Sequence, residues 1–286
     1  MTSTALGWIF AGLAGVGCLY QLFALWALGR QFRAAPQLAR TNAGVTLLKP
    51  LHGAEPKLAE NLGTFLDSGL NSGHSGPVQM VCGVASADDP AVKLVENLRA
   101  MRPAADIKLV TDPRRHGSNA KISNLINMME AARHDILVLS DSDMAVGPEY
   151  LPVLLAALDQ PRVGAVTCLY RGRGLAGLWS QLSASTISHV ALPDMVVGHV
   201  TGIESPCMGS TIALRRETLE RIGGFERFAD VLADDNAMGA AVRDLGLRVD
   251  IPPMLLVHTG AESSFGQFGL CAVQRLEQSD PGIGAR

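Results

Sequence analysis

Three acidic clusters stand along the chain: Asp88-Asp89, Asp141-Ser142-Asp143 and Asp234-Asp235. The first two follow apolar runs of strand-like composition, which puts their carboxylates at strand ends. Carboxylates so placed can hold a divalent cation, Mg2+ or Mn2+, against a diphosphate, while another carboxylate takes a proton from an attacking hydroxyl. Those are the requirements for moving a sugar from a nucleotide diphosphate to an alcohol. Each cluster also has a plainer reading. An isolated Asp-x-Asp can be a turn or cap. Asp88-Asp89-Pro90 has the form of a helix start, with a capping Asp and Pro in the first turn, although a carboxylate there could equally accept hydrogen bonds from a uracil or ribose. Asp234-Asp235 opens a helical stretch, where acidity is common and where the helix's positive end would keep a base ionised.

The elements that must position these groups come from apolar periodicity. Strands are expected at 45–48, 78–84, 107–110, 136–139, 163–168 and 211–214, and helices at 57–65, 91–101, 122–132, 151–158, 175–189 and 237–245. Alternation of this kind predicts an α/β fold with a mainly parallel sheet, whose ligands bind beyond the carboxyl ends of the strands. From 190 to Met208 the chain is broken by Gly and Pro and reads as irregular. The region after Gly172 is expected to form an acceptor-binding half.

Between Thr2 and Gly29 no side chain is charged, and the run is long enough for a spanning helix of about 20 residues. Arg30, Arg33 and Arg40 follow, so the positive-inside tendency puts the rest of the chain in the cytoplasm beneath the inner membrane, as a single-pass protein. A cleaved signal peptide is the rival, but it wants a charged leading region that this chain lacks. The expected division is a membrane anchor over 1–30, a basic linker over 31–44, a catalytic domain over 45–264 and an atypical tail over 265–286.

Composition narrows the partners. Among 286 residues 18% are charged, 48% are hydrophobic and the formal net charge is −3. Mean hydropathy is +0.20, apolar for a soluble enzyme and too low for a multi-span transporter. With no basic stripe and few aromatics, nucleic acid is not an expected partner. Cys18, Cys82, Cys168, Cys207 and Cys271 are odd in number and never spaced as a zinc pair, so they read as buried thiols in a reducing compartment. Gly172, Gly174 and Gly177 spell G-x-G-x-x-G, but after several βα units rather than at the first, and with Arg171 and Arg173 they read as a flexible basic connection near a diphosphate. His189 and His199 are ordinary surface or core histidines unless the structure gathers them into the site.

Taken in order, the motifs resemble the ceramide glucosyltransferase family, in particular its bacterial members acting in hopanoid lipid biosynthesis. Leu47 to Gly53 is similar to the family's opening strand and loop, Asp88-Asp89-Pro90-Ala91 to its first aspartate region, and Lys121 to Leu125 to its Lys-x-x-Asn-Leu segment. Asp141-Ser142-Asp143 resembles the second aspartate site, Ser188-His189 a Ser-His of the acceptor region, Val200-Thr201-Gly202 through Gly209-Ser210 its Val-Thr-Gly to Gly-x-Ser pattern, and Asp234-Asp235 the acidic pair of the base. The likeness runs from about Val45 to Ser264. It implies a nucleotide-diphospho-sugar transferase fold of the GT-A type and inversion in one displacement. It assigns Asp235, beside Asp234, as base, and Asp141 and Asp143 as ligands of Mg2+ or Mn2+. Lys49, Pro50, Asp88, Asp89, Lys121 and Asp141 would bind a UDP-sugar, and His189, Gly209 and Ser210 would lie in the acceptor region, facing a membrane lipid.

Members of that family continue with a Gln/Arg-x-x-Arg-Trp motif and more membrane helices. Here the chain reads Phe265-Gly266-Gln267-Phe268-Gly269-Leu270 and stops at Arg286. The expectation is a truncated or frameshifted gene, to be checked by reading the DNA across codons 265 to 286. The competing activity is a membrane-anchored protein that binds a UDP-sugar or a partner without turnover. A nucleotidyltransferase would want a basic, Gly-rich opening loop, and 48–55 is not one.

Overall fold

The computed structural model describes residues 3–39, 42–70, 74, 76–202 and 207–269. A long helix, α1 (Ser3–Gln31), leads into a seven-stranded sheet that begins with β1 (Val45–Pro50), α2 (Leu58–Leu70), β2 (Val78–Val84), α3 (Pro90–Met101), β3 (Asp106–Thr111), α4 (Ala120–Met128) and β4 (Ile136–Leu139). There follow β5 (Met144–Ala145), α5 (Tyr150–Leu158), β6 (Val163–Thr167), β7 (Leu169–Gly174), α6 (Leu178–Thr186) and α7 (Leu192–Thr201). The last elements are β8 (Ile212–Arg215), α8 (Arg216–Arg221), α9 (Asp234–Asp244), β9 (Arg248–Asp250) and β10 (Leu255–Gly260).

The large sheet has the order β3-β2-β1-β4-β8-β6-β9, and a small one has the order β5-β10-β7. Only β8 runs against its neighbours in the large sheet. The sheet is therefore mainly parallel, as the alternation requires. Its central strands are buried on both faces: β4 is Ile-Leu-Val-Leu with every residue covered. One core, around Leu47, Phe65, Met80 and Tyr150, fills the side of α2, α3 and α5, and a second, around Leu48, Leu125, Phe225 and Met238, fills the side of α4 and α9. Gly83 lets α4 lie close on β2, because a Cβ there would run into Asn124 and Met128.

Three expectations are corrected. The 172–177 glycine run is not a loop: Gly172 and Gly174 belong to β7, paired along β10, and their missing Cβ atoms make room for the backbone of α6 at Ala184 and Ser180. The stretch after 190 is helical, since α7 continues from α6 through a π turn, Ile187–Ala191. Pro193 cannot donate to the carbonyl of His189, and just before it the ladder widens so that Leu192 N–H reaches Ile187 O. Cys82, Cys168 and Cys207 are buried thiols, but Cys18 is exposed on α1, and Cys271 lies outside the described residues.

Candidate active site

Asp141 leaves the end of β4 beside the end of β1. Ser140 N–H bonds Leu48 O and its hydroxyl donates to Ser210 O at 2.7 Å, which joins the loop to the segment entering β8. Beneath it Lys49 is fully buried. Its Nζ donates to Ser140 Oγ at 3.1 Å and Asp141 O at 3.0 Å, and sits 3.2 Å from the centre of the Phe65 ring. Burial brings this ammonium down to about 7, against the pull of Asp141. Lys49 thus lies under the site, with its donors already engaged, rather than facing a nucleotide.

Lys121 comes from the first turn of α4 and holds Asp141 Oδ1 at 2.7 Å, with Asp234 Oδ2 at 3.9 Å. Burial works against its charge, but Asp141 and Asp234 outweigh burial and keep it well above the ordinary lysine value. Asn119 sets this helix against the third cluster. Its Oδ1 caps Ile122 N–H, and its amide donates to Val231 O at 2.8 Å and Asp234 Oδ1 at 3.2 Å. Asp235 opens α9, accepting from Gly209 N–H and from Asn236 N–H, each at 2.8 Å. Burial, then Asp234, raise its carboxyl above the usual range.

Gly209 marks where these groups converge. A Cβ built there would stand 3.1 Å from Lys121 Nζ, 3.3 Å from Asp235 Oδ2 and 3.5 Å from Asp141 Oδ2. The second and third acidic clusters, separated by about ninety residues of chain, thus face one small space.

Asp143 lies on the other side of the loop, just before β5. Because β10 pairs with β5, opposing His258 to Met144, the His258 ring reaches Asp143 Oδ2 at 2.9 Å, and Thr259 anchors Asp143 O through both N–H and hydroxyl. Burial pushes the Asp143 carboxyl up, and His258 overrides it, holding the group below the ordinary value. Asp143 Oδ1 is buried without a hydrogen-bond partner. Among the described residues no three His, Cys, Asp or Glu side chains form a ready metal cage. An orphaned carboxylate oxygen beside Asp141 is still what an open cation site completed by a diphosphate would leave, so the residues fit Mg2+ or Mn2+.

The remaining expected residues fall outside this convergence. Asp89 caps α3 through Ala91 N–H and clamps Gly53 N–H with both oxygens at 3.0 and 3.1 Å, so its carboxylate is committed to the loop, whereas Asp88 is exposed. Pro50 ends β1 opposite Gly83. Ser210 turns its hydroxyl into the sheet, donating to Cys168 O at 3.0 Å. His189 is exposed on the π turn, its Nδ1 3.0 Å from Ser185 O, and His199 is in the last turn of α7; neither lies in the cluster that Asp141, Lys121 and Asp235 form. Sequence reasoning passed over Asn119, His258 and Glu55, whose side chain bonds Ser142 and whose carboxyl is raised by burial. The apolar run before His258 was the available signal.

The same architecture occurs in solved structures. A mannosyltransferase from Pyrobaculum calidifontis, in complex with GDP-Man and Mn2+, aligns over 94% of this chain and 72% of its own with a TM-score of 0.62 at 21% identity. GalNAc-T7 with UDP, GalNAc and Mn2+ aligns over 78% and 44% with a TM-score of 0.53 at 15% identity. The fold is that of a GT-A type glycosyltransferase, α/β with a mixed, mostly parallel sheet. Ceramide glucosyltransferase 1 of Caenorhabditis elegans is 26% identical over 216 residues, 74% of this chain and 44% of the relative. Ceramide glucosyltransferase 3 of the same organism is 23% identical over 266 residues, 90% and 55% respectively. The chain spans about half the length of the curated relatives it matches. Residues 9–271 match glycosyl transferase family 21, and the chain belongs to that family.

Proposed function

We propose that this chain is an inverting transferase that moves a hexose or N-acetylhexosamine from a UDP-sugar to the hydroxyl of a membrane lipid, a hopanoid polyol or a ceramide-like acceptor. The observation that carries the reading is the convergence of Asp141, Lys121 and Asp235 around Gly209. Asp235, ionised and oriented by two backbone N–H groups, takes the proton of the acceptor hydroxyl. Lys121 would offer positive charge to the donor's phosphates, and Asp88, exposed after β2, would accept hydrogen bonds from the nucleoside. Asp141 and Asp143 would hold Mg2+ or Mn2+, which when bound neutralises charge on the departing diphosphate. Lys49 keeps the Asp141 loop in place from below.

The names of the relatives support a lipid acceptor and a glucosyl-type donor. So does α1, which from Thr4 to Gln31 is long and apolar enough to cross a membrane. The anchor keeps the catalytic domain beside an acceptor dissolved in the bilayer, raising its effective concentration, and Arg30 and Arg33 support the cytoplasmic side of the inner membrane for that domain. The test supplies labelled UDP-glucose or UDP-N-acetylglucosamine to membranes bearing the chain and counts label in the lipid fraction. Asp235→Asn is expected to lower lipid product by about a thousandfold with donor binding retained. Equal product from both proteins removes Asp235 as base, and donor binding without lipid product from either makes the chain a binding protein.

A further inference from the structure

The helical segment from Leu178 through the π turn to Pro193 is exposed along one side, yet it contains no Asp, Glu, Lys or Arg. Helices of this domain that face water are built differently: α3 carries Lys93, Glu96 and Arg99, and α8 carries Arg216, Glu217, Glu220 and Arg221. On α6 the outward positions are Leu178, Gln181, Leu182, Ser185 and Thr186, with His189 and Val190 on the π turn; Leu178, Leu182 and Val190 are 64%, 41% and 55% exposed. Next to them Trp179 meets the rings of Phe265 and Phe268 at centroid distances of 5.3 and 6.0 Å, and Phe265 is 67% exposed. An uncharged face on which Leu178, Leu182 and Val190 stand among small polar side chains, continued by the Trp179, Phe265 and Phe268 rings, marks a surface that something covers.

Its position relative to α1 identifies the cover. A span needs about 20 residues at 1.5 Å each, so a helix that enters at Ser3 has used its crossing near Leu22. The domain begins to cover α1 just there: Ala24 and Ala27 are its first buried residues among those described, and Ala27 packs in the group containing Leu192 and Val196 of α7. Tyr20 hydroxyl bonds Asp194 in the first turn of α7. The corner between α6 and α7 therefore lies at the level where the bilayer ends.

We propose that the outer face of α6 and the π turn, with Trp179 and Phe265, lies in the headgroup boundary of the bilayer as a second membrane contact beside α1. This rests on the reading of α1 as membrane-spanning and extends it. The opposite side of α6 packs on β7 and β10, and β10 presents His258 and Thr259 to Asp143. One helix thus touches lipid outside and supports the acid cluster inside, so a lipid acceptor reaches the site without leaving the membrane. An uncharged helix face with aromatic side chains is the composition that gains from burial at that depth.

The test uses the full chain, with Cys18→Ser and Cys271→Ser, reconstituted in phosphatidylcholine vesicles containing nitroxide lipids labelled near the headgroup. A fluorophore is placed at Leu182→Cys or, as a water-facing control, at Glu217→Cys on α8; buried Cys82, Cys168 and Cys207 stay unlabelled. Quenching at position 182 is expected to exceed the control about threefold, and Leu178→Glu with Val190→Glu should return it to the control value. Equal quenching at 182 and 217 overturns the proposal, as does protection of 182 that depends on protein concentration, which would mean a second copy covers the face. A fluorophore on the native Cys18 with nitroxides deep in the acyl chains reads α1 separately. Quenching there with none at 182 rejects the interfacial face and keeps the anchor; quenching at 182 without Cys18 keeps the face and rejects the span.

Discussion

Two lysines touch Asp141, one from below and one from above, and their surroundings differ. Lys49 below meets a carbonyl, a hydroxyl and an aromatic face, and burial takes its ammonium down to about 7. Lys121 above is also taken out of water, yet it meets the carboxylates of Asp141 and Asp234 and is held strongly charged. The same residue type thus serves two purposes. The floor fixes where the loop after β4 lies, and the rim sets the charge that a diphosphate would meet.

The space between them gives the largest expected effect. Gly209→Ala puts a methyl group among Lys121, Asp235 and Asp141, at a residue whose φ is not in the left-handed region. Displacing reacting groups by about 1 Å costs on the order of a hundredfold in rate, so transfer should fall by about that factor while the melting temperature stays within about 2 °C. An alanine variant with normal turnover would mean that the substrates meet elsewhere.

Substitution of each lysine by Met then separates floor from rim. Lys121→Met leaves Asp141 and Asp234 crowded and without their cation; with the lysine side chain 28% exposed, the expected loss is about 2 kcal/mol, or roughly 4–8 °C, with transfer down at least tenfold. Lys49→Met removes a buried charge and keeps its volume, which is close to neutral for stability, and it loosens the Asp141 loop for a loss of about tenfold in rate. Thermal melts and initial rates on both proteins check this. If Lys49→Met melts lower than Lys121→Met, the floor carries more of the fold than the rim and the contrast is reversed.

Much of the floor was legible in the sequence and little of what surrounds it. β1, β2 and β4 are apolar runs because parallel strands are buried on both faces, and the acids at their ends mark the ligand side of the sheet. β7 was hidden because Leu-Tyr-Arg-Gly-Arg-Gly has the composition of a loop; its glycines answer to the backbone of α6, which no local pattern reveals. α7 was hidden by Pro193, tolerated behind a widened turn. His258 and Asn119 gain their roles only when β10 pairs with β5 and α4 meets the loop before α9. The burial of Lys49 likewise follows from Phe65, a helix away in sequence.

The smallest effect is the most discriminating, because it has a sign. Burial and then Asp234 raise Asp235, while Lys121 lowers it, and the net result is a carboxyl above its ordinary value. A base acts only when ionised, so transfer should fall as pH drops through that raised value rather than in the usual carboxylate range. Asp234→Asn removes a like charge and should move this acid limb to lower pH by up to about one unit. Lys121→Met removes an opposite charge and should move the same limb to higher pH, beside its loss in rate. Profiles of rate against pH on the two variants, at saturating donor, decide the matter. Shifts in one common direction would show that the limb belongs to some other group and that the rim does not tune Asp235.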